Sequence, residues 1–490
     1  MTAPTETYVP DPRRWRGLII CLVAGFMTLL DVSIVNVALP SMQNGLSASA
    51  ADLSWVVSGY ALTFGLVLVP AGRLGDQHGR KWMFLLGVAL FTATSALCGV
   101  APTATLLVIA RLLQGMACGL LNPQIIGMMQ VLFRGKERGR AFGFYGAVVG
   151  ISTAIGPLVG GLLLQAAGVQ DGWRWVFYVN LPIGIAAIIG GLRVLPKDRP
   201  SGGRQSLDPI GTILLGLGIV GVMYPLIEAE EGGANAHWWL LAIGVALLAA
   251  FVGWEVRFGR RGHPPLVNLK LLRNYGYAIG TGIGLLYFAG FTGIFFVMTL
   301  FYQRGLNFSP LDAGAAMLSF AIGSAVSAGV TGKYVFRFGR AMIVAGLVLV
   351  AIGLAGTALL VAYYTGDHAG LLNSVPLLIA GIGSGIVISP NQTLTLNDVP
   401  PAEGGTAAAI LQTGQRIGSA MGTAVAGSLF FGELTSTRGD FHASATQALW
   451  GSVVLVGVAL LAGIADLVRT KVITRSDEPN EKLDGVPGAT

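Results

Sequence analysis

Charge is scarce in this 490-residue chain. Asp, Glu, Lys and Arg together make up 11% of it, against about 25% in a soluble globular domain. Histidine and cysteine are scarce as well. The five histidines, His78, His237, His263, His368 and His442, all fall in loops between apolar runs. No HExxH, GxSxG or Walker loop is present, so the usual hydrolase and nucleotide-hydrolysing sites are missing. Cys21, Cys98 and Cys118 lie inside apolar runs and give neither a disulfide framework nor zinc spacing. The expectation is a non-enzyme with no catalytic residues, no metal and no cofactor. Period-2 alternation in short segments is absent too, which argues against a β-barrel.

What the chain has in abundance is apolar length. Hydrophobic residues reach 53% and mean hydropathy is +0.69. Runs long enough to cross a hydrocarbon core of about 30 Å recur from end to end. They predict fourteen spans, near 15–40, 51–72, 82–101, 104–131, 140–164, 174–195, 207–227, 237–257, 275–303, 311–332, 341–364, 371–395, 405–432 and 446–468. The class is an all-α polytopic membrane protein. The first run is too long for a signal core, and it contains Asp31. An even number of spans places both termini on one side. With both inside, inner loops and tails hold 26 of the 31 Lys and Arg residues, so basic-loop retention predicts cytoplasmic N and C termini. The net charge of +7 is thereby a topology signal and calls for no nucleic-acid partner. The segment Arg199–Ser206 and the tail beyond Arg475 read as solvated linkers.

One inner loop recurs. "GRLGDQHGR", Gly72 to Arg80, matches "GKYVFRFGR", Gly332 to Arg340, and Ser49-Ala-Ala-Asp52 matches Ser309-Pro-Leu-Asp312, all at an offset of 260 residues. Tyr60 and Phe320 also correspond. The repeat predicts two six-helix halves inserted in the same direction, at 1–200 and 266–470. Between them lies a 201–265 linker with two additional helices, and 471–490 is a tail. Asp52 and Asp312 sit in S-x-x-D context and read as helix-capping residues. Asp76 is unequal between the copies, because Phe336 stands in its place.

Five segments in order carry a family resemblance: "GRLGDQHGRK"; "ARLLQGMACGLLNP" at Ala110–Pro123; "GFYGAVVGISTAIGPLVGG" at Gly143–Gly161; "LLDVSIVNVALP" at Leu29–Pro40; and "WRWVFYVNLPIG" at Trp173–Gly184. They resemble signatures of the major facilitator superfamily, and within it of the fourteen-helix drug:proton antiporters. The resemblance implies a major facilitator fold in the cytoplasmic membrane. It also implies proton-coupled export of a small amphipathic drug or antibiotic by alternating access. Export of an endogenous metabolite is the alternative, with import or a non-transporting receptor behind it. The implied partners are the substrate, protons and the bilayer; the motive source is the proton gradient, and the chain is read as a monomer.

Asp31 stands about 13 Å inside the outer end of span 1 at 1.5 Å per residue, where a carboxylate costs roughly 2.5–3.5 kcal/mol. It reads as a proton or cation site, or as a structural carboxylate bonded to a neighbouring helix. Arg111 lies about 10 Å deep and requires a polar partner, Asp31 or Gln114 being the candidates. Arg416, about 16 Å deep, has no identifiable acidic partner. Spans 9–14 lack a mid-depth carboxylate, which disfavours a dicationic substrate. Asn36, Tyr60, Asn122 and Tyr287 are candidate cavity residues. Gly72, Gly75, Asp76, Gly79, Arg80 and Lys81 form the expected cytoplasmic gate. Asp76 either pairs with Arg80 or, as the resemblance implies, caps a helix of the other half. Gly146, Gly150, Gly156, Pro157, Gly160 and Gly161 form the antiporter motif of span 5, a small-residue face for close helix contact and a hinge.

Overall fold

The computed structural model describes residues 10–168, 171–196, 208–230, 236–364 and 368–476. The described chain is helical with no strand, as it must be where no water satisfies the backbone. Fourteen helices are long and apolar enough to span a membrane. They are α1 (Arg14–Leu46), α2 (Ala51–His78), α3 (Arg80–Gly99), α4 (Ala104–Leu132), α5 (Gly135–Ala167), α6 (Gly172–Val194) and α7 (Pro209–Ala229). The rest are α8 (Trp239–Arg260), α9 (Tyr275–Gly305), α10 (Leu311–Thr331), α11 (Arg340–Tyr363), α12 (Ala369–Thr395), α13 (Pro401–Ser436) and α14 (Phe441–Arg469). The linker read at Arg199–Ser206 and the tail from 477 onward lie outside the described residues.

Each expected span has its helix, and the ends differ for physical reasons. Helix α1 continues past Pro40 to Leu46 and stops where Ser47 turns left-handed, φ 49°. Helix α5 begins at Gly135, five residues early, because the charged stretch 135–140 is itself helical and anchored by Arg14 to Glu137 at 2.9 Å. Charge there marks the edge of the apolar zone and does not end the helix. Ser49 and Ser309 each accept the amide of the Asp three residues on, so Asp52 and Asp312 do close helix caps. The repeated loop turns at Gly79 (φ 103°) and Gly339 (φ 52°), again 260 residues apart, a backbone region that favours glycine.

Helices α1, α3, α4, α5 and α6 pack among themselves with α2, and α9 to α14 do likewise. The two groups meet along α5 against α10 and α12, and along α2 and α4 against α13. Helix α7 lies against both α2 and α13, and α8 rides on α7. A Cβ at Gly221 of α7 would come within 2.7 Å of the Gly244 Cα of α8, so that crossing is a backbone-to-backbone contact.

Candidate functional site

The expected charged residues of the first helix group meet in one network. Arg111 of α4 donates through Nη1 to Asp31 Oδ2 of α1 at 2.7 Å and to Gln114 Oε1 at 2.9 Å. Gln114 Nε2 donates to Asp31 Oδ1 at 2.9 Å. Both candidate partners of Arg111 are therefore its partners. Its Nε donates to the Val56 carbonyl of α2 at 2.9 Å, and its guanidinium lies 4.1 Å above the Tyr60 ring. Asp31, Arg111 and Gln114 are all buried. A lone buried ion would be severely penalised, and here each charge faces the other across a 2.7 Å bond.

Sequence reasoning missed Asn180 and Ser95. Helix α6 is interrupted at Val179, between the helical pieces Gly172–Tyr178 and Asn180–Val194. Asn180 Nδ2, just past the break, donates to Asp31 Oδ1 at 2.9 Å and to Ser95 Oγ at 3.0 Å. Ser95 of α3 in turn donates to the Phe177 carbonyl at 2.9 Å. The signal was an amide inside an otherwise apolar stretch of a motif already singled out. Asp31 thus receives three donors and gives none, the pattern of an ionised carboxylate.

The cavity candidates divide. Tyr60 roofs the network, and Asn36 is exposed on α1. Asn122 is buried and turns to its own helix, bonding the Cys118 carbonyl and Sγ at 3.1 Å each. Tyr287 is buried, donates to Ser384 Oγ at 2.8 Å and stacks on Phe291. Both side chains are satisfied inside the bundle, because an amide or phenol among apolar helices bonds to the nearest acceptor. Arg416, half-buried on α13, lies 4.4 Å over the Phe64 ring of α2. Among the described residues it has no ion pair within reach.

At the end of the bundle rich in Arg and Lys, called here the basic end, Asp76 does two things at once. Arg80 Nη2 donates to its Oδ1 at 2.5 Å. It also caps α13: Gly405 N donates to Oδ1 at 3.0 Å, and Thr406 N and Oγ1 donate to Oδ2 at 2.8 Å each. Within α13 the regular α-helix begins at Gly404, after the turn Pro401–Glu403; its N-cap residue Glu403 supplies no side-chain cap, so a carboxylate from another helix does. Arg80 continues to the Gly127 carbonyl at 2.8 Å and the Pro401 carbonyl at 2.6 Å. Gly72 permits the approach, since a Cβ there would stand 2.6 Å from the Gly405 carbonyl oxygen. Gly75 makes room for Gln124. Lys81 points elsewhere, donating to the Leu192 and Leu195 carbonyls at 3.1 and 2.7 Å; it finishes the C-terminus of α6, where a cation is favoured. In the second copy Phe336 lies against Gly139 of α5, at the position corresponding to Asp76.

The small residues of α5 face two ways. A Cβ at Gly150 would be 2.9 Å from Ala325 N of α10, and one at Gly146 3.0 Å from Ala328 Cβ. Pro157 and Gly161 meet Gly314 and Leu311 at the start of the α10 segment. Gly156 and Gly160 instead turn to Ser33 and Ile34 of α1. One helix therefore touches the far helix group with one face and the Asp31 helix with the other.

The profile of the Major Facilitator Superfamily matches residues 21–423. The chain is 39% identical over 433 residues to the probable actinorhodin transporter of Streptomyces coelicolor, covering 87% of this chain and 74% of that one. It is 35% identical over 469 residues to the puromycin resistance protein pur8 of Streptomyces alboniger, covering 95% and 91%. The fold is similar to the crystal structure of the human organic anion transporter MFSD10 (TETRAN), with TM-score 0.65 at 14% identity over 92% of this chain and 100% of that chain. With fourteen membrane-length helices and a profile match across most of its length, this multi-pass membrane protein belongs to the Major Facilitator Superfamily and is a transporter, not an enzyme.

Proposed function

We propose that this chain is a proton-coupled antiporter that exports small amphipathic drugs or antibiotics across the cytoplasmic membrane by alternating access. It would work as a monomer, with the proton gradient as motive source and no cofactor. Its termini and basic end would face the cytoplasm, and its two halves at 1–200 and 266–470 would rock about the α5–α10 and α2–α13 contacts.

The carrying observation is the donor pattern around Asp31. Oδ2 faces Arg111 Nη1, and Oδ1 faces the amides of Gln114 and Asn180. A proton removes the charge of Asp31, and each of these bonds then loses its ionised acceptor. Turning the Gln114 amide over lets Oε1 accept a proton carried on Oδ1 but presents Nε2 to Arg111, whose Nη1 then keeps only the neutralised Asp31 Oδ2. Arg111 keeps its charge at any accessible pH. Protonation of Asp31 would therefore release a buried cation, and its re-pairing would drive the change of state. The Asp76 cap would hold the basic end shut meanwhile, and the half-buried Arg416 would favour anionic or zwitterionic groups on the substrate.

The relatives named for actinorhodin transport and puromycin resistance support a substrate among antibiotics. Proteoliposomes carrying a pH-sensitive dye test the reading across a compound panel. Addition of an exported compound should move protons in the opposite direction. Substrate flux without any proton movement would contradict it.

A further inference from the structure

The two additional helices hold a second buried carboxylate site. Asp208 immediately precedes α7, and Glu255 lies near the basic end of α8; each is 1% exposed. Asp208 Oδ1 accepts the Gly211 amide at 3.0 Å, and Oδ2 accepts Trp254 Nε1 at 2.6 Å. Glu255 Oε2 accepts the Val267 amide at 3.1 Å. Glu255 Oε1 has no hydrogen-bond partner. It points at Asp208: a Cβ built on Gly211 would lie 2.5 Å from Asp208 Oδ2 and 2.6 Å from Glu255 Oε1. Two acceptor-only groups face one another, and the orphaned oxygen has no protein donor to turn to.

We propose that Asp208 and Glu255 form a proton-binding site, with one proton shared between Asp208 Oδ2 and Glu255 Oε1, and that loss of this proton loosens the Asp76 latch. The charged group facing the pair from another element is Arg73 of α2, which interacts with Glu255 as well as with Asp76 and Glu403. Three carboxyl groups thus share one guanidinium, and two acidic groups set side by side favour retention of a proton. His263 is further off, stacked on Phe258, which stacks on Trp254.

The route to the latch is short. Glu255 holds the Val267 amide. Asn268, the next residue, donates to Glu403 Oε1 and Oε2 at 2.9 and 3.2 Å. Glu403 leads into Gly405 and Thr406, the donors to Asp76. When the pair gives up its proton, two adjacent carboxylates repel, and Glu255 moves with the segment that steadies Glu403. High pH at the basic end should thus favour the unlatched state. The link to the latch deepens the alternating-access reading, whereas the proton site stands without it.

The test uses the full-length protein in lipid nanodiscs, in an Asp31→Asn background that silences the central carboxylate. Infrared pH-difference spectra should show a protonated-carboxyl band that disappears in Glu255→Gln and, independently, in Asp208→Asn. A band that survives both substitutions, or its absence from the background protein at every pH, overturns the site. Spin labels at the exposed His78 and Ala402 report the latch. Raising the pH should increase the long-distance population several-fold in the background protein. Glu255→Gln, whose amide donates to Asp208 as the proton did, should abolish that increase. An unchanged pH response in Glu255→Gln overturns the link to the latch; neither readout requires transport.

Discussion

At the scale of the residue, the informative object is a buried carboxylate that accepts from three side chains on two other helices. Removing Arg111 leaves Asp31 buried without its cation, a change that costs about 3–5 kcal/mol when a buried pair is broken from one side. Arg111→Ala should therefore insert, unfold more readily in detergent and lose coupled transport, as thermal unfolding and flux assays would show. Arg111→Lys keeps the charge but cannot serve Asp31, Gln114 and the Val56 carbonyl together, so it should recover only part of the rate. Asn180 gives a separate test. Asn180→Ala removes one donor to Asp31 and the amide on Ser95 Oγ. Gradient-driven transport should slow, and a wild-type rate would deny Asn180 any part in the site. The meeting of Asp31 and Arg111 was legible because both stand at similar depth, counted from the same side. The part of Asn180 was not, because it depends on a one-residue break at Val179 that no periodicity marks. The partner of Tyr287 was not legible either: the sequence shows a phenol among apolar residues, and its bond to Ser384 comes from a helix 97 residues on.

At the scale of the element, the repeated loop explains itself through its inequality. The turn needs glycine at 79 and 339 in both copies, but only the first copy carries a carboxylate, and it caps α13. Asp76→Asn weakens the bonds to Arg80 and to the helix start. The lost charge forfeits its attraction to the helix N-terminus, about 0.3–1 kcal/mol, so the latched population should fall several-fold. Cysteine accessibility at the basic end should rise, substrate affinity should change little, and cycling should slow. Large loss of equilibrium binding with normal cycling would contradict the latch. Helix α5 gives the second element-scale prediction. Gly150→Val places its Cβ 2.9 Å from the Ala325 backbone nitrogen, where nothing flexible can yield. The α5–α10 contact should open, with transport lost while membrane insertion persists, as crosslinking between 150-region and 325-region cysteines would report. That α5 is a close-contact helix was legible from its glycine spacing. That Gly156 and Gly160 serve α1 while Gly146 and Gly150 serve α10 was not, since spacing gives a face but no partner.

At the scale of the whole molecule, fourteen spans could be read from apolar length. The place of the two additional helices could not, because no motif links them to their neighbours. Of the two, α7 lies at the seam between α2 and α13 and carries α8 on its outer side, which gives the pair a structural reason to influence opening. The account as a whole depends on one carboxylate being the proton's address. The most direct measurement is substrate efflux from proteoliposomes driven by an imposed pH gradient, for the wild type and Asp31→Asn at matched insertion. The account predicts gradient-driven efflux in the wild type and none above the no-gradient background in Asp31→Asn. Gradient-driven efflux at the wild-type rate in Asp31→Asn would contradict it.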